Sequence, residues 1–246
     1  MQISDKTVLI TGGTKGIGRA VALAFGGQGA NVIVNYSGDK VAAEAVIKEL
    51  ERSGGRHLAI QANIANQHEI AAMFEKVSEA YGTLDILVNN AGIFSEADSP
   101  DNLHTFKEVF ATNFFAQIDV TRNAVKLMQK GKIIFISSIH AKLGSGRPSA
   151  IGYSSSKAAL ESYMKNLTKD LAPDVIVNAI APGRTLTPMW GKMTEEEARR
   201  LAEGHLINRW IEPHEIADGV LFLAKNDAVC GEVLVIDGGM SLKTLG

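Results

Sequence analysis

Seven short apolar runs recur along the chain, and each is rich in valine and isoleucine. Within a run, apolar and polar positions barely alternate, which is typical of strands buried on both faces of a sheet. The runs are TVLI at 7–10, NVIV at 31–34, HLAI at 57–60, DILV at 85–88, KIIFI at 132–136, VIVNAI at 175–180 and EVLVI at 232–236. They predict seven strands.

The segments between these runs have a helical period. AVALAFGGQG and AAEAVIKELERSGG end in glycines, which suit a helix C-terminus, and YSSSKAALESYMKNLTKDLA predicts a longer amphipathic helix. Alternating β and α units form parallel sheets with helices on both faces. Because no linker or low-complexity segment interrupts them, the pattern predicts an α/β fold with one doubly wound domain over residues 1–246.

Composition narrows the classes of function. The formal net charge of −2 gives no basic excess for nucleic acid or for an anionic membrane surface. Cys230 is the single cysteine, and the six histidines are scattered rather than spaced like metal ligands. No apolar run reaches the roughly 18 residues that span a bilayer. We therefore expect a cytoplasmic protein without a metal site.

The first predicted strand runs into a glycine-rich turn. TGGTKGIGRAVALAF contains Gly12-x-x-x-Gly16-x-Gly18 between a strand and a helix. Glycine lets backbone N–H groups approach a phosphate, and a helix N-terminus attracts negative charge. An ordinary glycine-rich turn is the alternative, but the strand–turn–helix context favours a dinucleotide site.

Further motifs follow in order: NNAG at 89–92, Asn113 in ATNFF, ISS at 136–138, YSSSK at 153–157, NAIAPG at 178–183, TPM at 187–189 and VIDGG at 235–239. With the glycine turn, they resemble the short-chain dehydrogenase/reductase family, and most closely its 3-oxoacyl-acyl-carrier-protein reductases. The resemblance implies a Rossmann fold and an NADP(H)-dependent enzyme that interconverts a carbonyl and a secondary alcohol. The alternatives are an NAD-dependent alcohol, sugar or steroid dehydrogenase and a non-catalytic NADP-binding module.

Two segments contain Tyr-x-x-x-Lys, YSGDK at 36–40 and YSSSK at 153–157. The glycine and aspartate in the first disfavour a helix. The second opens the long predicted helix, in which residues i and i+4 project from the same side. We therefore expect Tyr153 and Lys157 to point together into the cleft beyond the carboxyl ends of the strands.

The family resemblance assigns chemical roles. Tyr153 exchanges a proton with the substrate oxygen, Lys157 binds the nicotinamide ribose, and Ser138 orients the carbonyl, with the adjacent Ser137 as an alternative. Asn113 corresponds to the helix-kink residue that holds a water in the proton relay. A free phenol has a pKa of about 10, whereas acid–base catalysis at neutral pH works best near 7. We expect the ammonium of Lys157 and the oxidised nicotinamide to supply the roughly 4 kcal/mol required.

The residues after the second strand indicate which nicotinamide cofactor is used. An NAD-specific site usually places a carboxylate there, but this chain has Asn35, Tyr36 and Ser37, with Asp39 too far along. Lys15 resembles the basic residue of NADP-preferring members, so we expect NADP, with NAD as the alternative. The predicted cofactor-binding residues are Gly12, Thr14, Lys15, Gly16, Ile17, Gly18, Asn35, Tyr36, Ser37, Asn63, Ile64, Asn90, Ala91, Gly92, Tyr153, Lys157, Pro182, Gly183, Thr185 and Thr187. Asn63 stands where the family usually has aspartate.

Residues 184–211 are expected to form a lid over the substrate. In TEEEARRL, Thr194 and Glu197 fit a capping box at the start of a helix. Four large apolar residues fall in the segment, namely Met189, Trp190, Met193 and Trp210. They either line an apolar substrate pocket or pack the lid onto the body or a neighbouring subunit.

The partners are expected to be a small carbonyl or alcohol substrate and, from the resemblance, three further copies of the chain in a homotetramer. A reductase that serves an acidic acyl carrier needs a basic rim beside its cleft. Asp174 stands where such enzymes often present a cation, and Lys130 and Lys132 offer partial compensation. We therefore expect a free ketone or a carrier-free thioester to be reduced at least as efficiently as a carrier-bound substrate.

Overall fold

A seven-stranded parallel sheet forms the centre of the structure, a computed structural model that describes residues 1–142 and 150–243. Its strand order is β3-β2-β1-β4-β5-β6-β7. The strands are β1 (Thr7–Ile10), β2 (Asn31–Tyr36), β3 (Leu58–Gln61), β4 (Ile86–Asn89), β5 (Gly131–Ile136), β6 (Val175–Pro182) and β7 (Val233–Ile236). The predicted doubly wound α/β fold is confirmed.

Helices cover both faces of the sheet. They are α1 (Gly16–Gly26), α2 (Lys40–Leu50), α3 (Gln67–Tyr81), α4 (Leu103–Phe110), α5 (Ala116–Val125), α6 (Ile151–Leu171), α7 (Glu195–Ala202) and α8 (Pro213–Lys225). Leu9 of β1 packs with residues of α3, α5 and α6, whereas Val8 and Ile10 pack on the other face with α1, α2 and α8. This alternation along one buried strand produces the two apolar layers that hold the helices.

The edge strands differ from the central ones. Residues of β1 and β4 are completely buried, but Leu58 in β3 and Leu234 in β7 are only partly buried, and Val235 is 37% exposed. The expectation that every run is buried on both faces is therefore wrong for β3 and β7. An edge strand has a neighbour on one side only, so its side chains are covered less completely.

The direction in which strands are added to the sheet reverses between β1 and β4. β2 and β3 follow on the side of β1, and β5, β6 and β7 follow on the side of β4. In register, Ile10 lies beside Val88, and Asn89 lies beside Phe135. Because all strands are parallel, the segments that follow β1, β4, β5 and β6 emerge at one edge. Ligands of open α/β sheets bind at such a switch point, which here brings the glycine turn close to the segments after β4 and β5.

The amino-terminal ends of the strands, opposite the cleft, correct the expected positions of Asp174 and Lys132. Asp174 immediately precedes β6, and its carbonyl oxygen accepts a hydrogen bond from the Gly131 N–H, at the start of β5. Lys132 is 2% exposed, and its Nζ lies 2.7 Å from Asp227 Oδ1. Asp174 therefore lies away from the cleft, and the buried ammonium of Lys132 provides no rim charge.

None of the helices in the described ranges has the length and hydrophobicity needed to span a bilayer. Over the same ranges, no three histidine, cysteine, aspartate or glutamate side chains form a group that suits a metal ion.

Candidate active site

A cleft of about 610 Å³ lies at the carboxyl edge of the sheet and extends from the glycine turn to the first turns of α6. Predicted residues of the glycine turn and of YSSSK at 153–157 therefore line one continuous space. Those that line it are Gly12, Lys15, Gly16, Ile17, Asn35, Ser37, Asn63, Ile64, Asn90, Ala91, Gly92, Ser138, Tyr153, Lys157, Pro182, Gly183, Thr185 and Thr187. Thr14, Gly18, Tyr36 and Asn113 were also predicted for the site but are not part of this lining.

The glycine turn is shaped by close contacts. Gly12 and Gly16 have φ values of +61° and +50°, which residues other than glycine rarely adopt. A Cβ on Gly18 would overlap the Gly12 carbonyl. Asn90 Nδ2 donates to the carbonyl oxygen of Gly12 at 3.1 Å, and Asn35 Oδ1 accepts from its N–H at 3.3 Å. Asn35 and Asn90 therefore hold the turn in position, a supporting role that the glycine pattern alone does not indicate.

Cationic and hydroxyl groups meet beyond the end of β2. Ser37 and Lys15 both line the cleft there, and Lys15 Nζ lies 2.5 Å from Asp39 Oδ2. The hydrogen bond from Lys15, followed by that from the Ala42 N–H, lowers the pKa of the Asp39 carboxyl. Asp39 is therefore closer to the site than its position in the sequence suggested, and its carboxylate competes for the charge of Lys15.

Tyr153 and Lys157 lie one turn apart on α6, as the helical spacing predicts. Lys157 is 3% exposed, and its Nζ lies 5.8 Å from the centroid of the Tyr153 ring. The same Nζ donates a 2.7 Å hydrogen bond to the carbonyl oxygen of Ile136 at the end of β5. The first Tyr-x-x-x-Lys is separated as expected, because Tyr36 ends β2 whereas Lys40 begins α2 and lies near Glu44.

Burial controls the acidity of both groups. It raises the pKa of the Tyr153 phenol, and a hydrogen bond with Ser138 opposes the increase. Burial also lowers the pKa of Lys157 to about 8. The charged form of each group is disfavoured where solvent is excluded. The expectation that the pKa of the phenol falls toward 7 is therefore wrong for the protein by itself, because burial outweighs the opposing contacts.

The two adjacent serines after β5 have different partners. Ser137 Oγ donates a 2.8 Å hydrogen bond to Glu161 Oε1 in a buried pair, whereas Ser138 bonds to Tyr153. Ser138 also begins a short 3₁₀ turn, and its Oγ accepts from the His140 N–H at 3.3 Å. Of the two serines left open by the sequence, Ser138 is the one beside the candidate acid.

Asn113 lies in a π-helical segment, Ala111–Phe115, between α4 and α5. Its Oδ1 accepts from the Ile93 N–H at 2.7 Å, and its Nδ2 donates to the Ile93 carbonyl oxygen at 2.9 Å. A Cβ on Gly92 would lie 3.2 Å from Asn113 Oδ1 and 3.6 Å from Lys157 Nζ. Asn113 therefore fixes the loop after β4, immediately behind the cleft wall, at a helix irregularity of the kind often found at functional sites.

Several cleft residues were not predicted from the sequence. Phe94 and His140 contact the candidate acid edge to face, with ring centroids 5.7 and 6.4 Å from that of Tyr153. Each follows a recognised motif by two positions, Gly92 in NNAG and Ser138 in ISS, and this proximity is the signal that identifies them. Ile93, Thr112 and Arg184 also line the cleft, and each is adjacent to a recognised motif residue, namely Gly92, Asn113 and Gly183.

In the segment predicted as a lid, some apolar residues line the cleft and one packs behind them. The Thr194–Glu197 capping box is present at the start of α7. Met189 and Trp190 line the cleft. The Trp190 ring stacks edge to face on Trp210 at 5.1 Å between ring centroids, so Trp210 supports the wall from behind.

The groups that line the cleft fit a nicotinamide dinucleotide. Glycines 12, 16 and 18 keep the turn free of side chains, and the main chain of Lys15 leads into α1, which has no side-chain cap. Backbone N–H groups at an uncapped helix start suit a pyrophosphate. Lys157 and Tyr153 lie at the other end of the same cleft, where the nicotinamide ribose and ring would be held.

Comparison with known proteins agrees with this arrangement. The family model for short chain dehydrogenase matches residues 6–198. The chain is 34% identical to the 3-oxoacyl-[acyl-carrier-protein] reductase FabG of Staphylococcus aureus, over 96% of this chain and 98% of that protein. It is 36% identical to the short chain dehydrogenase mdpC of Emericella nidulans, over 97% of this chain and 96% of that protein.

Solved structures are similar over nearly the whole chain. A dehydrogenase/reductase from Sinorhizobium meliloti is 38% identical with a TM-score of 0.90, and the match covers 97% of both chains. A short chain dehydrogenase from Burkholderia cenocepacia, solved in complex with NADP, is 32% identical with a TM-score of 0.90, over 98% of this chain and 100% of that one. The protein is therefore an oxidoreductase that belongs to the short-chain dehydrogenase/reductase family.

Proposed function

We propose that this protein interconverts a carbonyl compound and a secondary alcohol with NADP(H), and that Tyr153 is the acid–base group. The observation that carries the proposal is the meeting of Tyr153, Ser138 and Lys157 in the cleft that begins at the glycine turn. The bound cofactor supplies or accepts the hydride. The residues of the chain hold the substrate oxygen and move its proton.

Ser138 and Tyr153 act on the same oxygen. During reduction the phenol of Tyr153 donates its proton, and the Ser138 hydroxyl orients the carbonyl by a hydrogen bond. The ammonium of Lys157 stabilises the phenolate that remains and also binds ribose hydroxyls. Asn113 supports the loop that contains Gly92 and Ile93, and we assign it a water in the path by which Tyr153 regains a proton.

The preference for NADP(H) rests on the end of β2. No acidic residue directly follows the strand, and Lys15 and Ser37 line the cleft there. A 2′-phosphate needs a cation and hydrogen-bond donors, and the solved relative in complex with NADP is consistent with this choice. The carboxylate of Asp39, paired with Lys15, weakens the preference without removing it.

The substrate half of the cleft favours a ketone with an apolar or aromatic body. Phe94, His140, Met189 and Trp190 surround the space beside Tyr153 and Ser138. Met189 is 56% exposed, and together with Trp190 it presents apolar surface to the cleft. We assign residues 184–211 to a lid, because Met189 and Trp190 belong to that segment and form one wall.

We also propose that the chain, a single domain over residues 1–246, assembles as a homotetramer in the cytoplasm. Large apolar side chains remain exposed on its helices, including Leu103 at 61%, Phe115 at 58% and Phe222 at 47%. Light scattering of the purified protein tests the assembly, and a monomeric mass at micromolar concentration would contradict it.

The decisive experiment compares Tyr153→Phe with Tyr36→Phe. Both substitutions remove one hydroxyl from a Tyr-x-x-x-Lys segment, but only Tyr153 lines the cleft. Turnover of a ketone panel, followed by loss of the reduced-nicotinamide absorbance, should fall about 10²–10⁴-fold in Tyr153→Phe. Tyr36→Phe should keep nearly full turnover, and both variants should bind the cofactor normally. Equal losses in the two variants would disprove the assignment.

A further inference from the structure

Asp98 is a buried acidic residue that none of the roles above uses. It lies in the loop between β4 and α4, and it is 0% exposed. Its Oδ1 accepts from the Gly152 N–H and its Oδ2 from the Tyr153 N–H, each at 2.9 Å. A buried carboxyl group is tolerated only where its oxygens are hydrogen-bonded. Both of its oxygens are therefore satisfied by the start of α6.

Helix α6 needs such a partner because it has no cap of its own. The residue at its N-cap position is Ala150, which has no side-chain acceptor. Gly152 and Tyr153 are the second and third residues of the helix, whose N–H groups a capping side chain normally binds. Asp98 supplies this acceptor from 54 residues away, and its backbone also forms an isolated parallel bridge with Ala150.

Gly152 shows that the contact is a close fit. A Cβ at this position would lie 2.8 Å from Asp98 Oδ1 and 3.2 Å from Cδ2 of Phe106. Glycine inside a helix is ordinarily less favourable than alanine. The sequence therefore accepts a weaker helix former where the carboxylate approaches the helix.

From this geometry we infer that Asp98 is a positioning residue for Tyr153. The inference rests on the proposed function, in which the Tyr153 phenol must reach the substrate oxygen. Tyr153 is held at both ends, by Asp98 at its backbone N–H and by Ser138 at its hydroxyl. Loss of the first contact lets the opening turn of α6 move, and a misplacement of about 1 Å can reduce turnover about 10²-fold.

The test uses two variants that disturb the contact from opposite sides. Asp98→Asn keeps the shape but leaves one of the two N–H groups facing an amide NH₂, and Gly152→Ala adds the clashing methyl group. Each should lower kcat about 10–100-fold while the Kd of NADPH changes less than about twofold. The matched control is Asp85→Asn, because Asp85 also accepts a backbone N–H, from Thr7 at 2.9 Å, but at the opposite edge of the sheet. It should lower Tm and leave kcat unchanged.

Backbone amide hydrogen exchange tests the contact without turnover. In Asp98→Asn, exchange at Gly152 and Tyr153 should accelerate about tenfold or more, because a charge-assisted hydrogen bond is lost. Exchange near the C-terminus of α6 should not change. Unchanged exchange at the two amides, or a loss of kcat equal to that of Asp85→Asn, overturns the positioning role alone. Full turnover by Tyr153→Phe overturns the proposed function and this role with it.

Discussion

Replacing Lys157 with methionine should make the stability of the protein depend differently on pH. Lys157 is 3% exposed, and burial lowers its pKa from 10.5 to about 8. In the unfolded chain the amine is solvated and keeps its ordinary proton affinity. Methionine has a similar length and no charge, so Lys157→Met removes this titration while it fills nearly the same space.

The sign and size of the effect follow from the two pKa values. Below pH 8 both states carry the ammonium, and its burial destabilises the folded state. Between pH 8 and 10.5 the folded protein has released the proton while the unfolded chain still binds it, so the free energy of unfolding rises with pH. The difference of about 2.5 pKa units corresponds to about 3 kcal/mol.

At pH 7 the removal of a buried charge in Lys157→Met should therefore raise the free energy of unfolding by about 3 kcal/mol. It should lose about 1 kcal/mol because the Ile136 carbonyl oxygen no longer accepts a hydrogen bond. The net gain should decline as the pH rises and disappear before pH 10.5.

Urea denaturation of both proteins, at fixed subunit concentration and at several pH values from 7 to 10, measures this difference directly. Lys165→Met is the matched control, because Lys165 lies on the exposed side of the same helix and its ammonium is solvated in both states. Its difference from the wild type should not vary with pH. If the free energies of unfolding of the wild type and Lys157→Met differ by the same amount at every pH, the argument that burial disfavours the ammonium is refuted.

Three further predictions concern the cofactor, the substrate and the direction of reaction. Lys15→Ala should weaken the binding of NADPH by about 1–3 kcal/mol and leave the binding of NADH unchanged. Asp39→Asn, which keeps an N-cap residue on α2, should strengthen the binding of NADPH. Equilibrium binding of both cofactors measures these effects, and parallel changes for NADH would contradict the prediction. Trp190→Ala should lower kcat/KM for aromatic ketones more than for acetone-sized ones, and equal losses would remove Trp190 from the substrate wall. Because burial raises the pKa of Tyr153, the ratio of oxidative to reductive turnover should rise with pH; a ratio that is constant from pH 7 to 10 would contradict this.

The fold and the central site were predictable from the sequence because they depend on local patterns. An apolar run without alternation identifies a central parallel strand wherever helices cover both faces, and it failed only at β3 and β7, which have one neighbour each. The spacing of Tyr153 and Lys157 acts within a single helix, so it also transfers directly from sequence to structure. The same holds for the Thr194–Glu197 capping box.

What could not be predicted depends on contacts between distant segments. Asp98 and Gly152 are 54 positions apart, and no local pattern relates them. Asp174 was expected beside the cleft because similar reductases often present a cation at that position, yet the 21-residue helix α6 returns the chain to the opposite end of the strands. The expected acidity of Tyr153 failed for a similar reason, since spacing shows which charges are near but not how far solvent is excluded.

The pKa shifts of Tyr153 and Lys157 have one common cause with a chemical consequence. Exclusion of water disfavours the phenolate and the ammonium alike, so the phenol's pKa rises while that of the amine falls to about 8. At neutral pH the amine still carries its proton in most molecules, and the phenol is protonated as well. A protonated phenol beside a cation is an acid ready to donate to an oxygen that gains negative charge, which is what reduction of a carbonyl requires. Oxidation of an alcohol requires the phenolate, and the phenolate forms less readily in this buried setting. Under the proposed function, the protonation states of Tyr153 and Lys157 therefore suit proton donation to a carbonyl oxygen at neutral pH.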